Sequence, residues 1–480
     1  MKKKIVVSKL FLYRHRFVIG YVILALAFVG LLFGLPVIAQ YGLSESEMQS
    51  AVNSYALGFD SPMNGDLVDL PYRLLQKLSI MIFGLTPYAI KLPSILVGLA
   101  LGFLLILLLN RWFKNNVSLL ASFLIILSTP FLFLAGSGTP LIMIVFWPTL
   151  LLWLGSKIQG EKKPKPLYSL LFAVVLLLAI YTPYMPYFAI FCVLFVFFQP
   201  HLRFIVKSLP RGPLIAIIVL TLGGVFALIF NMVNHPETIM ELLFSEGMEI
   251  SQFIPNIGKG LAPVFSWLST PESVFLSPLM SLPILALALI GLFSTTKGFF
   301  ASRNSIATLL LIFTVVITGF NPAAVVFFIL PTAILVAHGL KYLLEKWYGL
   351  FPENPYARVA AILPLSILFA MIIIPSLLQY VYGYRYNPAV AREFRYDLAI
   401  VRDNLTDQTL VAGEDYDFYK ILEHSTDVKV VADMSDAEAS RETALLFRTS
   451  DDDKYVLKRI ITSPMNEKSD IIDLSTAKTE

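Results

Sequence analysis

The chain has 480 residues, of which 57% are hydrophobic and 15% charged, and its formal net charge is +4. Its hydrophobic fraction lies well above the roughly 45–50% apolar content of soluble globular proteins, and its mean hydropathy is +0.73. We therefore expect an integral membrane protein. The small net charge argues against a nucleic-acid partner. Cys192 lies inside an apolar run and is the single cysteine, which excludes an intrachain disulfide.

The first predicted membrane span, Phe17 to Ala39, follows the basic segment MKKKIVVSKLFLYRHR. It is long enough for a bilayer core of about 30 Å and longer than the apolar core of a signal peptide, so we interpret it as a retained anchor. The other candidate spans are Pro87 to Leu109, Val117 to Leu134, Leu141 to Leu154, Leu167 to Ile180, Tyr187 to Phe198, Pro213 to Met232, Leu279 to Phe293, Ile306 to Ile317, Ala323 to Ala337 and Ala360 to Leu378. The sequence therefore predicts a mainly α-helical polytopic membrane protein with about eleven spans.

Basic residues are concentrated in alternate turns between these spans. The basic turns include Arg111, Lys157, Arg203, Lys297 and Lys341. The opposite turns, such as AGSGT and YTPYMP, contain no basic residue. Because cytoplasmic loops are enriched in Lys and Arg, the pattern predicts a cytoplasmic N-terminus and an extracytoplasmic C-terminus in a multi-pass cell-membrane protein. The extracytoplasmic parts would then be loop 40–86, loop 233–278 and the segment after residue 380.

Loop 40–86 contains the segment DLPYRLLQKLSIMIFG, whose apolar residues recur at helical spacing. These residues are Leu70, Leu74, Leu75, Leu78 and Met81. The spacing predicts an amphipathic helix that lies along the membrane face.

After the membrane domain, predicted for residues 1–380, residues 381–480 have an ordinary soluble composition. A helical pattern in PAVAREFRYDLAIVRDNL and a shorter one in DYDFYKILEHS accompany strand-like TLVAG and DVKVVAD. These patterns predict a small extracytoplasmic α/β domain. The last segment, MNEKSDIIDLSTAKTE, is polar and predicts a loose tail.

The order of elements in the first part of the chain resembles the membrane glycosyltransferases of the GT-C fold, and in particular the protein O-mannosyltransferase and aminoarabinose transferase-like group. Members of that group have an Asp-Glu pair after the first span, then a helix ending in Phe-Gly, then a basic residue before Leu-Pro-Ser. Here Phe83 and Gly84 supply the Phe-Gly, and KLPS runs from Lys91 to Ser94. The match covers about the first 115 residues, and the general layout extends it to about residue 380.

The resemblance implies transfer of a sugar from a polyprenyl-phosphate-linked donor to a glycan, lipid or protein acceptor of the cell envelope, without a metal or cofactor. An acceptor hydroxyl attacks the anomeric carbon faster when a general base takes its proton, by about 10²–10⁴-fold. By the resemblance, Glu47 is the first candidate for this base and Glu45 the second. Arg73, Lys77 and Lys91 are then the candidates that would bind the donor phosphate at the membrane surface.

The sequence departs from the family pattern at two places. Ser46 and Glu47 take the positions of the Asp-Glu pair, so the family's aspartate is a serine here. The turn LAGSGTP after the third span has no charged residue, where family members often have one. Both departures favour an alternative, a catalytically degenerate relative that binds lipid-linked sugar. A transporter or flippase is less consistent with spans that are almost free of ionisable residues.

Each candidate also has a structural interpretation. Ser44 followed by Glu47 fits a helix capping box, and the three basic candidates would equally contact lipid headgroups. The aspartates of the first loop, Asp60, Asp66 and Asp69, suggest solvated loop residues.

Three later segments allow more than one interpretation. YTPYMPY, from Tyr181 to Tyr187, is typical of an aromatic interface belt and would also suit a donor groove. His235 and the glutamates Glu237, Glu241, Glu246 and Glu249 suggest acceptor contacts, while their spacing matches no metal-ligand pattern. TSDDDKY, from Thr449 to Tyr455, suggests a solvated turn.

Overall fold

A computed structural model describes most of the chain. The described residues are 11–39, 42–57, 67–160, 166–207, 211–243, 250–265, 279–298, 301–350, 356, 360, 362–383, 393–405, 408–433, 443–445, 456–461 and 471–475. Asp60, Asp66, Glu246, Glu249 and the segment 449–455 lie outside them.

The membrane region contains long apolar helices together with several shorter ones. In chain order the helices are α1 (Phe11–Ala39), α2 (Glu45–Tyr55), α3 (Leu70–Phe83), α4 (Pro87–Trp112), α5 (Asn115–Ile126), α6 (Thr129–Gly136), α7 (Met143–Gly160), α8 (Pro166–Ala179), α9 (Met185–Phe198), α10 (Pro200–Lys207), α11 (Arg211–Asn234), α12 (Glu237–Leu243), α13 (Phe253–Phe265), α14 (Leu282–Thr296), α15 (Ser302–Phe320), α16 (Ile329–Leu350) and α17 (Ile362–Leu378). A 3-10 segment, Pro322–Phe328, leads into α16.

Seven of the described helices are long and apolar enough to cross a membrane. The pair α5 and α6, bent by 62°, would form an eighth span. Three shorter apolar helices, α8, α9 and α14, occupy the positions of further predicted spans. A multi-pass membrane protein is therefore confirmed, while the count of about eleven and the sidedness stay predictions.

Helix α16 lies at the centre of the bundle. The span containing it is 94% buried over its most apolar window, whereas the corresponding windows in α1, α11 and α17 are 17% buried. It packs closely on α14 through two glycines, since a Cβ at Gly291 would lie 1.9 Å from the carbonyl oxygen of Leu335 and a Cβ at Gly339 2.2 Å from that of Leu287. Small residues of this kind let transmembrane helices approach at backbone distance.

Helix α3 has its apolar side outside and its polar side inside. Leu78 and Met81 are among the exposed apolar residues, whereas Tyr72, Gln76 and Ser79 are buried against neighbouring helices. A helix that turns apolar side chains away from the protein is suited to contact with lipid. The predicted amphipathic helix is thus confirmed as a helix, and its exposed face fits the predicted position along the membrane.

The C-terminal region contains helix α18 (Asp397–Asn404), the helical turn α19 (Tyr416–Tyr419) and a five-stranded mixed sheet. The strands are β3 (Thr409–Val411), β4 (Lys429–Val431), β5 (Thr443–Leu445), β6 (Val456–Ile461) and β7 (Ile471–Ser475), in the order β4-β3-β5-β7-β6. Strand β3 pairs in parallel with β4 and β5, and β7 pairs antiparallel with β5 and β6. The predicted small α/β domain is confirmed.

Two details of this domain differ from the sequence prediction. The polar tail is not loose throughout, because Ile471–Ser475 forms β7 between β5 and β6. Within the described part of the predicted helix, the helix begins at Asp397, and Phe394–Arg395 forms a short strand, β2, that pairs antiparallel with β1 (Leu43–Ser44). Pairing with neighbouring strands stabilises both segments, and for β2 the partner strand lies far away in the chain, where local sequence patterns do not show it.

The C-terminal domain shares a hydrophobic core with the first loop. This core joins Met48 and Ala51 of α2 and Ile80 of α3 to Leu398 and Val401 of α18. The domain, α2 and α3 therefore lie together at one end of the helical bundle, which we call the outer end, following the predicted sidedness.

Candidate active site

The first loop begins with an N-capped helix at the outer end. Ser44, in β1, is the N-cap of α2, and its Oγ accepts a hydrogen bond from the Glu47 backbone N–H (3.3 Å). In return the Ser44 N–H donates to Glu47 Oε2 (2.9 Å). The capping box expected from the sequence is confirmed.

The carboxylate of Glu47 has two further contacts inside the protein. Its Oε1 accepts a hydrogen bond from the Gly138 N–H (2.6 Å), and Lys91 Nζ lies 3.4 Å from Oε2. Both side chains of this ion pair are almost fully buried, with 2% and 5% of their surface exposed. A buried ion pair with additional hydrogen bonds strongly favours one local arrangement, so Glu47 is held in a fixed position.

Lys91, near the start of α4, connects the two outer elements. Its Nζ donates to the carbonyl oxygen of Gly42 (3.0 Å) and lies 5.3 Å from the ring centroid of Phe394 in β2, within the range of a cation–π contact. The ammonium group therefore touches both the first loop and the C-terminal domain. Because the Lys91 side chain is buried, it does not contact the lipid headgroups, which is the other interpretation of this residue from the sequence.

The uncharged turn that follows α6 forms one wall beside Glu47. The bend between α5 and α6 brings this turn, Ser137 to Pro140, against α3 and α4. Gln76 of α3 fastens it, because its Nε2 donates to the carbonyl oxygens of Gly138 (2.9 Å) and Ile90 (3.0 Å). Its Oε1 accepts from two serine hydroxyls of α2, Ser50 and Ser54. The Ser46–Glu47 segment and the uncharged turn both depart from the family pattern, and they are in contact here.

A chain of buried hydroxyls runs beside this wall. Ser94 Oγ donates to the Thr139 carbonyl oxygen (3.1 Å), so the Tyr72 hydroxyl, 2.7 Å from Ser94 Oγ, must be the donor in their contact. Burial raises the pKa of the Tyr72 hydroxyl strongly. Tyr72 therefore stays protonated and fixes the start of α3 against α4.

The C-terminal domain joins the site through the pairing of β1 with β2. Leu43 lies opposite Arg395 in this two-residue ladder. Arg395 donates to Asp397 Oδ2 (2.7 Å) and Asp415 Oδ2 (2.6 Å). Although burial lowers the pKa of Arg395, the two carboxylates raise it by more, and the guanidinium is a permanent cation.

A cavity of about 240 Å³ lies between the start of α4 and helix α18. Its polar lining consists of Thr86, Tyr88, Lys91, Arg395, Tyr396, Arg402 and Asp403. Three of these side chains are cationic and one is a carboxylate. Because α4 begins at Pro87, the cavity lies at the outer end of this candidate span.

The other predicted site residues have different surroundings. Glu45 and Ser46 are exposed at the first turn of α2, and Ser46 Oγ lies 3.0 Å from Ser44 Oγ. Lys77 donates to the backbone carbonyls of Tyr55 and Leu57 at the end of α2, where the helix dipole favours a cation. Neither Lys77 nor Arg73 is among the lining residues of the cavity. Of the predicted residues, the structure brings Glu47 and Lys91 together.

Asp69 differs from its sequence interpretation as a solvated loop residue. It is buried, with 7% of its surface exposed, and has a left-handed backbone conformation with φ of 55°. Its N–H donates to the carbonyl oxygen of Tyr181 (2.7 Å), which attaches the first loop to the turn between α8 and α9. Local turn signals do not show this long-range hydrogen bond, so the sequence alone predicts that Asp69 is exposed to solvent.

In the YTPYMPY segment, aromatic side chains pack inward. Tyr184, with φ of 65°, is buried, and Tyr187 donates to the carbonyl oxygen of Leu243 (2.9 Å) while stacking on Phe320. The segment therefore ties the second outer loop to the bundle. Among the described residues, no group of three or more His, Cys, Asp or Glu side chains could hold a metal ion.

Solved membrane proteins have the same overall fold. The chain superposes on ArnT from Cupriavidus metallidurans bound to undecaprenyl phosphate with a TM-score of 0.54 and 13% identity, covering 97% of this chain and 99% of ArnT. It superposes on the oligosaccharyltransferase AglB from Archaeoglobus fulgidus, in complex with an inhibitory peptide and a dolichol-phosphate, with a TM-score of 0.55 and 12% identity, covering 90% of this chain and 66% of AglB. The GT-C fold suggested by the sequence is thereby confirmed.

A third structure, of the Archaeoglobus fulgidus oligosaccharyltransferase tethered with an acceptor peptide, has a TM-score of 0.51 and 13% identity. It matches over 89% of this chain, and the chain spans 65% of its length. No protein-family model matches the chain, and no curated protein sequence does. The resemblance to solved proteins is therefore one of fold.

Proposed function

We propose that the chain is a membrane glycosyltransferase that moves a sugar from a polyprenyl-phosphate-linked donor to an acceptor at the outer face of the cell membrane. The observation that carries the proposal is the cavity lined by Lys91, Arg395 and Arg402 at the start of α4, the depth at which we expect the phosphate of a membrane-anchored lipid. The fold is shared with ArnT, whose structure contains undecaprenyl phosphate. The acceptor would be a glycan, lipid or protein of the envelope.

In this proposal the donor phosphate binds in this cavity, at Lys91, Arg395 and Arg402, while its polyprenyl tail stays in the bilayer. Negative charge develops on the phosphate as the glycosidic bond breaks, and fixed cations stabilise it without reorganisation. Lys91 and Arg395 are held by carboxylates behind the cavity. Arg402, exposed in the last turn of α18, is the cation best placed to form a bidentate contact.

Of the two candidate bases, we propose that Glu45 takes the proton of the acceptor hydroxyl. Its carboxylate is exposed at the first turn of α2, three residues beyond Gly42, which lines the cavity. Glu47, the first candidate from the resemblance, has both oxygens engaged by buried donors. We propose that Glu47 acts on the reaction through Lys91 by holding this cation in place.

The experiment is transfer of radiolabelled sugar from a panel of polyprenyl-phosphate sugars to extracted envelope acceptors by the purified protein. The Glu45→Gln variant is expected to lose about 10²–10⁴-fold in rate, the usual contribution of a general base. The matched control is Glu414→Gln, an exposed glutamate in the C-terminal domain. Full activity of Glu45→Gln would remove this residue from the mechanism.

The engaged carboxylate of Glu47 and the serine at position 46 favour a second candidate function. In this alternative the chain is a degenerate relative that binds lipid-linked sugar and transfers nothing. Donor binding with no transfer across the whole panel would support it. Absence of both binding and transfer would contradict both candidates.

Donor affinity provides a separate prediction for the cavity. A hydrogen bond to a charged group contributes about 1.5–3 kcal/mol, and about 1.4 kcal/mol corresponds to tenfold in a dissociation constant. We therefore expect Arg402→Gln to weaken binding of undecaprenyl phosphate by about tenfold or more. Lys420→Gln, which removes an exposed cation of the same domain outside the cavity lining, is the control. Equal affinities of wild type and Arg402→Gln would place the phosphate elsewhere.

A further inference from the structure

A second and larger cavity, of about 620 Å³, lies at the opposite end of the bundle. It is enclosed by α7, α8, α9 and α11, with the end of α4 and the start of α15 at its mouth. Along α4, Arg111 at this mouth is twenty residues beyond Lys91, or about 30 Å at 1.5 Å per residue. This cavity is therefore separated from the candidate active site by about the thickness of the hydrocarbon core.

Polar groups of the cavity are concentrated at its mouth. Arg111 and Arg303 line it there, together with Gln159, whose Nε2 donates to Ser302 Oγ (3.2 Å). Arg303 donates to the carbonyl oxygen of Trp112 and lies 5.0 Å from the ring centroid of Phe113. These contacts fix the guanidinium beside the cavity.

Two polar atoms of the lining lack a hydrogen-bond partner among the described residues. They are Arg303 Nε and Ser169 Oγ. Ser169 is 4% exposed, so its hydroxyl has no access to bulk water. Because buried polar groups in proteins are nearly always hydrogen-bonded, two such groups on one cavity indicate an occupant with acceptor atoms.

Most of the remaining lining is apolar. Phe172, Leu176, Phe191 and Phe195 are among its lining residues. From Leu151 to Gln159 its lining follows α7 for about 12 Å, at 1.5 Å per residue. That depth is less than half of a hydrocarbon core of about 30 Å, so an apolar tail inside it would stay within one leaflet.

We propose that this cavity binds an anionic phospholipid of the leaflet at this end, with its phosphate at Arg111 and Arg303 and one acyl chain among the phenylalanines. The charge bias of the turns predicts that this leaflet is the cytoplasmic one, and anionic lipids are enriched there. Phosphate oxygens would accept from Arg303 Nε, and a polar oxygen of the glycerol ester region would engage Ser169. The site is distinct from the proposed donor cavity in position and in occupant.

Gly155 offers a way to close the cavity without disturbing the fold. A Cβ at Gly155 would meet only a Phe172 ring atom, at 4.0 Å, and leucine has a higher helix propensity than glycine. Gly155→Leu therefore places an isobutyl group in the apolar part. The matched control is Gly223→Leu on α11, where a Cβ would meet nothing within 4 Å and the residue does not line the cavity.

The experiment titrates delipidated full-length protein with phosphatidylglycerol, phosphatidylcholine or undecaprenyl phosphate, and measures bound lipid by native mass spectrometry and the thermal midpoint of unfolding. We expect phosphatidylglycerol to bind the wild type and to raise its midpoint, since a ligand of the native state stabilises it. Gly155→Leu should weaken this binding by about tenfold or more, and Gly223→Leu should not. Arg111→Gln should reduce the preference over phosphatidylcholine, whereas Lys114→Gln, an exposed cation outside the lining, should leave it unchanged.

Three results would overturn the proposal. One is equal phosphatidylglycerol binding by wild type and Gly155→Leu. Another is equal binding of phosphatidylcholine and phosphatidylglycerol by the wild type. The third is a loss in Gly155→Leu of undecaprenyl phosphate binding alone, which would assign the cavity to the polyprenyl lipid instead.

Discussion

Glu47→Gln is expected to destabilise the outer end by about 3–5 kcal/mol, the usual cost of removing one partner of a buried ion pair. Lys91 would remain buried, with 5% of its side chain exposed and the neutral amide in place of the carboxylate. Sugar transfer and donor binding should both fall, because Lys91 also lines the proposed donor cavity. The measurement is chemical denaturation in detergent, followed by the transfer assay.

The amide cannot reproduce the contacts of the carboxylate. The backbone N–H groups of Ser44 and Gly138 donate hydrogen bonds to different oxygens of Glu47. In glutamine one of these oxygens becomes an NH₂ group, which accepts nothing, so one buried N–H loses its acceptor at a cost of about 1–3 kcal/mol. Loss of activity in Glu47→Gln alone would therefore not identify Glu47 as a catalytic base.

A double-mutant cycle separates the structural role from a catalytic one. Lys91→Met should destabilise the protein on its own, and the double variant Glu47→Gln/Lys91→Met should be more stable than the sum of the two losses predicts, because the pair is removed together. Lys114→Gln serves as a control for loss of an exposed cation. Additive losses in free energy of unfolding would mean that Glu47 and Lys91 do not interact.

Gly42→Ala is expected to open the short strand pairing between the first loop and the C-terminal domain. A Cβ at this position would lie 2.6 Å from the carbonyl oxygen and 3.1 Å from the backbone nitrogen of Arg395. Backbone atoms in a paired strand cannot move aside as a flexible side chain can, so the pairing of β1 with β2 must open. We expect a cost of about 1–3 kcal/mol.

The opening of this pairing should be visible by hydrogen exchange. The amide of Leu43 in β1 and those of α18 should exchange faster in Gly42→Ala, and donor affinity should fall because Lys91 donates to the Gly42 carbonyl oxygen. Gly34→Ala in α1, where a Cβ would meet nothing within 4 Å, is the matched control. Unchanged exchange in β1 would show that the junction tolerates a side chain.

Several parts of the fold could be predicted from sequence because their signals are local. Apolar runs identify long spans, the spacing of Leu74, Leu78 and Met81 identifies α3, and Ser44 with Glu47 identifies the start of α2. The KLPS motif also identifies Lys91 as a candidate site residue. These features depend on residues close together in the chain.

The assembly of the site could not be predicted in the same way. Leu43 pairs with Arg395, and Gly138 donates to Glu47. The partners in both contacts are far apart in the chain, and sequence periodicity does not predict such contacts. The three-cation cavity combines Lys91 with Arg395 and Arg402 from the far end of the chain. The sequence instead suggested Arg73 and Lys77, because they are the nearest basic residues in the first loop.

Sugar transfer at the outer face should be measured in proteoliposomes of known orientation, with polyprenyl-phosphate sugar in the bilayer and acceptor supplied on one side only. Protease access to the C-terminal domain would determine the orientation. We expect transfer when the acceptor is on the side of the C-terminal domain, and loss of transfer in Glu45→Gln but not in Glu414→Gln. Transfer to acceptor on the opposite side only, or no donor binding by a folded wild-type protein, would contradict the proposed function.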